Sequence, residues 1–266
     1  SFLELLKVPY TGCGPRGQML SQGKDLSKKL MKYHNIPTPA FVVVPIGRKA
    51  KRPKRLKFPL IVKSVTEDAS AGISQSSVVD SDEKLEERVA FIHERIGTAA
   101  IVEQYIDGRE IYVGVLGNDR LTALPIWELK FTALAAGALP IATEHVKHNV
   151  EYQRKRGVVQ GPAEELTPTL TNKIRDLVKR CCRVLEMDGY ARIDLRLDAK
   201  GTPYFIEANP NPEIASSEEL AQSALHDGIA YADLLNRILQ LGLQRAGKEI
   251  VYVERERPDL RVGHAF

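Results

Sequence analysis

The chain has 266 residues, enough for one large hydrophobic core or two smaller ones. Its net charge of +4 is too small to indicate a nucleic-acid-binding protein, and no apolar run reaches the length of about 20 residues that a membrane-spanning helix needs. The cysteines Cys13, Cys181 and Cys182 show neither a disulfide framework nor a zinc-ligand spacing, so we predict reduced thiols and a cytoplasmic protein.

The first half of the chain predicts a β-rich α+β unit after a short front segment. We expect the end of a helix at 2–6 and a short strand at 8–11. A helix capped by Ser21 should run to about residue 34. Predicted strands follow at 40–44, 58–63, 75–80 and 99–106, with a helix at 81–96 that Ser81 caps.

Two motifs in this half are weak. Residues 12–17 match G-x-G-x-x-G, but residues 36–40 lack the acidic residue that a dinucleotide site needs, and Pro15 lies inside the loop. The Lys- and Arg-rich residues 48–57 resemble a nucleic-acid or nuclear-localisation patch. Because they lie between two predicted strands, we interpret them as a solvated loop.

The second half predicts a hairpin at 109–116 and 121–129, then an irregular stretch at 130–165. Such a long irregular stretch in a compact domain is usually functional or disordered. A helix should start at Thr167-Pro168 and run to about 187. Two further helices at 216–226 and 229–241 should end at Gly242, and residues 247–266 predict a loose tail or an edge strand at 250–253.

Residues 189–213 carry the most informative pattern: two strands, 190–197 and 204–208, joined by turn residues. Side chains two apart share a face, so Arg192 lies with Asp194, and Glu207 lies with Asn209. Antiparallel pairing can bring these two sets together. Carboxylate and amide oxygens are the ligands that Mg²⁺ prefers, usually together with phosphate oxygens. The alternative is an ordinary hairpin with a solvated polar face.

The segments R-I-D-x-R at 192–196 and I-E-A-N-P-N-P at 206–212 resemble the metal-binding hairpin of the ATP-grasp superfamily, most closely its D-alanine–D-alanine ligase-like branch. The resemblance implies an α+β ATP-grasp fold, in which two α+β lobes hold the nucleotide between antiparallel sheets. It divides the chain into a linker from a preceding α/β domain at 1–20, a nucleotide lobe at 21–107, a catalytic lobe at 108–246 and a tail at 247–266. We therefore expect that this chain lacks the front domain, which helps to hold the first substrate in related ligases.

The resemblance also implies ATP contacts in the first lobe. Lys24 and Lys63 would contact phosphates, Glu103 would accept from the adenine amino group, and Glu110 would hold ribose hydroxyls. The segment 67–72 would be a phosphate lid, although related ligases usually have G-S-S-x-G where this chain has D-A-S-A-G. Surface side chains are the alternative interpretation. The complete implied set is Lys24, Lys63, Ser70, Gly72, Glu103, Gln104, Tyr105, Ile106 and Glu110.

In the second lobe, the resemblance implies that Asp194, Glu207 and Asn209 hold Mg²⁺, with Mn²⁺ as an alternative. Arg192, Lys147 and Asn211 are the implied catalytic residues. The implied reaction phosphorylates a small-molecule carboxylate with ATP and then transfers the acyl group to an amine. The alternatives are a non-catalytic nucleotide-binding module, a D-alanine–D-alanine ligase proper, and a carboxylase-type or peptide-modifying enzyme.

One departure bears on the substrate. D-Alanine–D-alanine ligases typically have E-x-N-x-x-P-G, whereas this chain has Glu213 in place of the glycine. An acid there would repel an acceptor carboxylate and could pair with an amine or a guanidinium. We therefore predict a carboxylate–amine ligase of unassigned specificity that binds no nucleic acid and no membrane, with a homodimer as an option because relatives are commonly dimers.

Overall fold

The structure, a computed structural model, describes residues 2–67, 73–134, 137, 139–143, 146 and 150–255, and of residues 155 and 247–255 it describes only the backbone. The described chain combines helices with two sheets whose strands pair antiparallel, which confirms the predicted α+β class. Among the described residues, none of the helices combines the length and the hydrophobicity that a bilayer crossing requires.

The α-helices of the described residues are α1 Phe2–Leu5, α2 Pro15–Gln22, α3 Lys24–Tyr33, α4 Asp82–Phe91, α5 Val150–Arg156, α6 Pro168–Val184, α7 Glu219–His226 and α8 Tyr231–Arg255. The strands are β1 Phe41–Val44, β2 Leu60–Ser64, β3 Val78–Val79, β4 Ala100–Gln104, β5 Arg109–Leu116, β6 Thr122–Ala123, β7 Trp127–Phe131, β8 Val158–Pro162, β9 Tyr190–Leu197 and β10 Pro203–Asn209.

The strands form two sheets. The smaller sheet has the order β1-β4-β2-β3, and the larger has the order β10-β9-β5-β7-β8, with β6 also pairing with β5. Every pairing is antiparallel. The chain passes from one sheet to the other between Gln104 and Arg109, close to the predicted lobe boundary at 107.

Two of the predicted helix starts are confirmed by their caps. The Ser81 hydroxyl accepts from the backbone N–H of Lys84 at 3.3 Å. The Thr167 hydroxyl accepts from the N–H of Leu170 at 3.2 Å, and Pro168 occupies the first helical position. Both side chains satisfy backbone donors that have no partner within the helix, which is why these residue types mark helix starts.

The front of the chain differs from the prediction. Ser21 caps no helix, because it lies inside α2 and its hydroxyl donates to the carbonyl of Gly17. The α3 helix starts after Gly23 instead. Pro15, predicted as a loop residue, occupies the first turn of α2, and residues 8–11 form no strand.

The predicted helix end at Gly242 is wrong. The α8 helix continues to Arg255, so the alternative of an edge strand at 250–253 is also wrong. Gly242 serves a different purpose: a Cβ atom there would lie 2.6 Å from the carbonyl oxygen of Tyr10. The glycine lets the helix pass close to the front segment. The rest of the predicted tail, 256–266, lies outside the described residues.

The position of α3 also departs from the prediction that residues 21–107 form one lobe. Met31 of α3 and the following Ile36 lie in the hydrophobic core that β5, β9, β10 and α6 build. The smaller sheet has its own core, formed with α4. The helix that carries Lys24 is therefore packed on the larger sheet.

Candidate active site

The β9–β10 hairpin brings the predicted polar side chains together. In its register Glu207 pairs with Asp194, and Asn209 pairs with Arg192. Directly paired residues of an antiparallel ladder point to the same face. All four side chains therefore lie on one face, and the ladder's other face carries core residues such as Ile193 and Phe205.

An irregularity in β10 makes this convergence possible. The register shifts between Phe205 and Glu207, so that Ile206 is an extra residue with no partner on β9. In an unbroken ladder Ile206 would oppose Asp194, and Glu207 would oppose the core residue Ile193. A one-residue slip moves side chains to the opposite face. The bulge therefore turns Glu207 out of the core and toward Asp194.

Arg192 is held by two carboxylates. Its guanidinium donates to both oxygens of Asp194, at 2.8 and 3.0 Å, and to Glu219 of α7 at 3.1 Å. It also lies 5.0 Å from the ring centre of Tyr112. Burial by itself would lower the pKa of Arg192, but the two carboxylates outweigh this effect and the pKa lies well above its ordinary value.

A cleft between the two sheets is lined by most of the predicted nucleotide and metal residues. The predicted residues that line it are Lys24, Lys63, Glu103, Gln104, Tyr105, Ile106, Glu110, Asp194 and Glu207. Apolar side chains, including Ile61, Ile141 and Ile206, complete the walls. Apolar walls with a few convergent charged groups are typical of a site for a small ligand.

Glu103 lies at the bottom of this cleft between two lysines. Its carboxylate is fully buried, 3.1 Å from Lys28 Nζ and 3.4 Å from Lys63 Nζ. Burial raises the pKa of Glu103, yet the attraction of both ammonium groups outweighs it and holds the pKa below its ordinary value. Burial lowers the pKa of Lys28, and Glu103 opposes that shift.

These observations agree with the comparisons with known proteins. Residues 30–240 match the family model described as D-ala D-ala ligase C-terminus. The chain belongs to this family. It is an ATP-dependent ligase of the D-Ala–D-Ala ligase type, a class that forms C–N bonds between small-molecule substrates with ATP and a divalent metal ion.

The similar proteins and solved structures align with most of this chain. It is 33% identical over 239 residues to a D-alanine–D-alanine ligase of Bordetella petrii, covering 87% of this chain and 67% of that protein. It is 34% identical over 245 residues to the uncharacterized protein y4sG of Sinorhizobium fredii, covering 92% and 69%. The fold matches the D-alanine–D-alanine ligase of Bacillus anthracis complexed with ATP, with TM-score 0.75, 24% identity, and coverage of 93% of this chain and 75% of that one.

Lys24 joins the two lobes of this D-Ala–D-Ala ligase-type chain. Its ammonium donates to the carbonyl oxygen of Glu67 at 2.7 Å and lies 3.5 Å from the carboxylate of Glu207. Its backbone N–H donates to the carbonyl of Val65 at 3.0 Å. The predicted lid residues Ser70 and Gly72, which follow Glu67, lie outside the described residues, as does Lys147.

Arg196, the last residue of R-I-D-x-R, is a site residue for which the sequence predicts no role. Its guanidinium donates to Glu110 at 3.0 Å, to the carbonyl of Ile106 at 3.1 Å, to the Tyr105 hydroxyl at 2.9 Å and to the carbonyl of Pro140 at 2.8 Å. It thus orients the predicted ribose carboxylate and the predicted adenine segment. The period-two alternation of β9 that places Arg192 and Asp194 on one face also places Arg196 on that face.

A second cavity lies beside the hairpin. It is lined by polar residues that include Arg192, Asn209, Asn211, Glu213, Glu218, Glu219, Gln18, Gln22, Gln153 and Gln160. The Asn211 side chain accepts from the backbone N–H of Cys13 at 2.8 Å and so holds the front segment. This gives Asn211 an observed structural contact, and its catalytic role stays a prediction.

The hairpin residues fit a divalent metal ion that also binds phosphate. Asp194 and Glu207 offer carboxylate oxygens and Asn209 offers an amide oxygen. The Nδ2 atom of Asn209 is buried without a hydrogen-bond partner among the described residues. The described chain holds no cluster of three His, Cys, Asp or Glu side chains suited to a metal. The set of Asp194, Glu207 and Asn209 contains two carboxylates and one amide, and bound Mg²⁺ usually shares its shell with substrate phosphates.

Proposed function

We propose that the chain joins a small-molecule carboxylate to an amine through an acyl-phosphate intermediate, with Mg²⁺ as the divalent ion and Mn²⁺ as a substitute. The observation that carries this proposal is the meeting of Asp194 and Glu207 at a cleft that Lys24 and Lys63 also line. Oxygen ligands beside two ammonium groups suit a polyphosphate, whose negative charge both can neutralise.

Neither step of the proposed reaction needs a protein nucleophile. In the first step, a carboxylate oxygen attacks the terminal phosphorus of ATP, the bond to the bridging oxygen breaks, and ADP leaves. In the second step, the amine attacks the acyl carbon, the C–O bond to the phosphoryl group breaks, and inorganic phosphate and a proton leave. A metal ion held by Asp194, Glu207 and Asn209 would neutralise phosphate charge.

The chain's own residues supply orientation and positive charge. Lys24 and Lys63 face the cleft from α3 and β2 and would bind phosphate oxygens. Arg192 has its guanidinium fixed by Asp194 and Glu219, so its orientation is set before the reaction. Donors fixed in advance stabilise the charge that develops in a transition state without a cost of reorientation. We assign Arg192 to the transferring phosphoryl group.

The second cavity supports a proposal for the acceptor. Glu213 is exposed at this cavity, which Glu218 and Glu219 also line, and the nearby Arg192 is already paired with two carboxylates. This balance of charge favours an acceptor amine without a carboxylate at that position over free D-alanine. The cytoplasmic location, the preceding α/β domain and the homodimer stay predictions.

The test combines binding and turnover. Titration calorimetry with Mg-ATP should show binding, and ADP release should then depend on both a carboxylate and an amine drawn from a panel. Binding without ADP release on any pair would indicate a nucleotide-binding module. Robust dipeptide formation with D-alanine as the sole substrate would contradict the acceptor proposal.

A variant pair links turnover to the predicted metal residues. Asp194→Asn should lower turnover by about 100-fold or more, because it removes a charge that faces the metal and fixes Arg192. Asp227→Asn, at an exposed position after α7, is the matched control and should leave turnover unchanged. Equal turnover of the two variants would contradict the assignment of Asp194.

A further inference from the structure

Lys28 is a fully buried lysine that the reaction described above does not use. It lies on α3, one turn after Lys24, and its side chain has no exposed surface. A buried ammonium is costly unless charged and polar partners surround it. Its partners connect both lobes, and they show what the buried charge does.

The first partner is the β10 bulge. The ammonium of Lys28 donates to the backbone carbonyl oxygen of Ile206, the extra residue of that bulge. The residue inserted at a bulge is unpaired in the ladder, so its carbonyl needs a partner from elsewhere. The ammonium also lies 5.6 Å from the ring centre of Phe205, the residue before the bulge.

The segment after α3 also forms hydrogen bonds with strand β10. The backbone N–H of Phe205 donates to the carbonyl of Pro37 at 2.8 Å, and the Thr38 hydroxyl donates to the carbonyl of Phe205 at 3.1 Å. Together with Lys28, these contacts fix the backbone that immediately precedes Glu207. The second partner, Glu103, lies 3.1 Å from the same ammonium on β4 of the other sheet.

We propose that Lys28 is a positioning residue that holds the Ile206 bulge and thereby keeps Glu207 on the face that binds the metal–nucleotide complex. The proposal rests on the function proposed above. Without the ammonium, the Ile206 carbonyl would lose its donor, and the bulge would lose the contact that favours it over a one-residue slip that places Ile206 opposite Asp194. That slip would turn Glu207 toward the core.

Lys28 also neutralises the carboxylate of Glu103, and the experiment must separate this role from the positioning of the Ile206 bulge. A variant that removes Lys28 alone leaves a buried carboxylate with one fewer cation. The informative variant is therefore Lys28→Met/Glu103→Gln, which removes both charges and keeps both side-chain lengths similar. Its reference is Glu103→Gln, and Lys29→Met, at the neighbouring exposed lysine of α3, controls for the helix itself.

The measured quantity is the metal enhancement, the ratio of affinities for a non-hydrolysable ATP analogue with and without Mg²⁺ by calorimetry. It requires no turnover. We expect wild type and Lys29→Met to show similar enhancement, and the double variant to lose at least 10-fold of the enhancement that Glu103→Gln retains. Enhancement in the double variant equal to that of Glu103→Gln would overturn the role of Lys28. A wild-type chain without metal enhancement would overturn the proposed function as well.

If the double variant does not fold, Lys28→Arg provides the test, because it keeps a cation beside Glu103. The planar guanidinium is longer than the ammonium and cannot place the same donor on Ile206 without moving the strand. We expect at least a 3-fold loss of metal enhancement, with nucleotide affinity in the absence of metal near that of wild type. Unchanged metal enhancement would overturn the proposal.

Discussion

The carboxylate of Glu103 lies between two lysines from different elements, Lys28 on α3 and Lys63 on β2. This one buried negative charge faces two positive charges. The same arrangement makes the stability of the chain depend on pH.

Glu103→Gln should lower the free energy of unfolding by about 3 kcal/mol at pH 7, since breaking a buried ion pair leaves its partners uncompensated. The pKa of Glu103 in the folded chain lies below its unfolded value. The ionised Glu103 therefore makes its full contribution to the free energy of unfolding above the unfolded pKa, about 4.3. This contribution is lost as the pH falls through the folded pKa.

Urea unfolding of wild type and variant at neutral pH and at several acidic pH values measures this difference. The gap in unfolding free energy should be full at pH 7 and should shrink progressively below about pH 4. Glu87→Gln, at an exposed position of α4, should leave stability nearly unchanged at each pH. A gap for Glu103→Gln that stays constant with pH would contradict the lowered pKa.

At the scale of elements, a close approach of backbone decides how α8 packs against the front segment. The α8 helix passes the front segment at Gly242, and Arg245 of the same helix donates to the carbonyl oxygens of Tyr10, at 3.0 Å, and Gly12, at 2.7 Å. A helical glycine is normally a weak point relative to alanine. Here the absent Cβ is what allows the helix and the front segment to meet.

Gly242→Ala should therefore lower the free energy of unfolding by about 1–3 kcal/mol, because the new Cβ would meet backbone atoms that cannot rotate away. A helix-propensity effect by itself would instead stabilise the chain by up to about 1 kcal/mol. Urea unfolding measures the sign. Gly161→Ala on β8, where a Cβ meets nothing within 4 Å, is the control and should change stability little.

At the scale of the whole molecule, a few hydrogen bonds connect the lobes across the cleft. The side-chain amide of Gln75, just before β3, donates to the carbonyl of Leu139 at 3.0 Å and accepts from its N–H at 2.9 Å. The next residue, Pro140, accepts from Arg196 of the larger sheet. This chain of contacts ties the smaller sheet to the segment 139–143, whose Ile141 lines the cleft.

Gln75→Ala should weaken binding of a non-hydrolysable ATP analogue by about 3- to 30-fold, because both hydrogen bonds that bring the lobe to the cleft are lost. Calorimetry in the presence of Mg²⁺ measures the affinity. Ser76→Ala, at the exposed neighbouring position, should bind like wild type. Equal affinities for Gln75→Ala and wild type would show that the Leu139 contact does not support the binding conformation.

The sequence by itself determined the features that depend on local chemistry. The caps Ser81 and Thr167 and the two strands of the 189–213 hairpin are set by neighbouring residues, and the R-I-D-x-R motif indicated the family. Only the tertiary structure decided which face Glu207 occupies. A period of two cannot reveal a bulge, and an unbroken ladder would have turned Glu207 into the core. Lys28 holds that bulge from 178 residues away in the sequence, and local patterns carry no information at that separation.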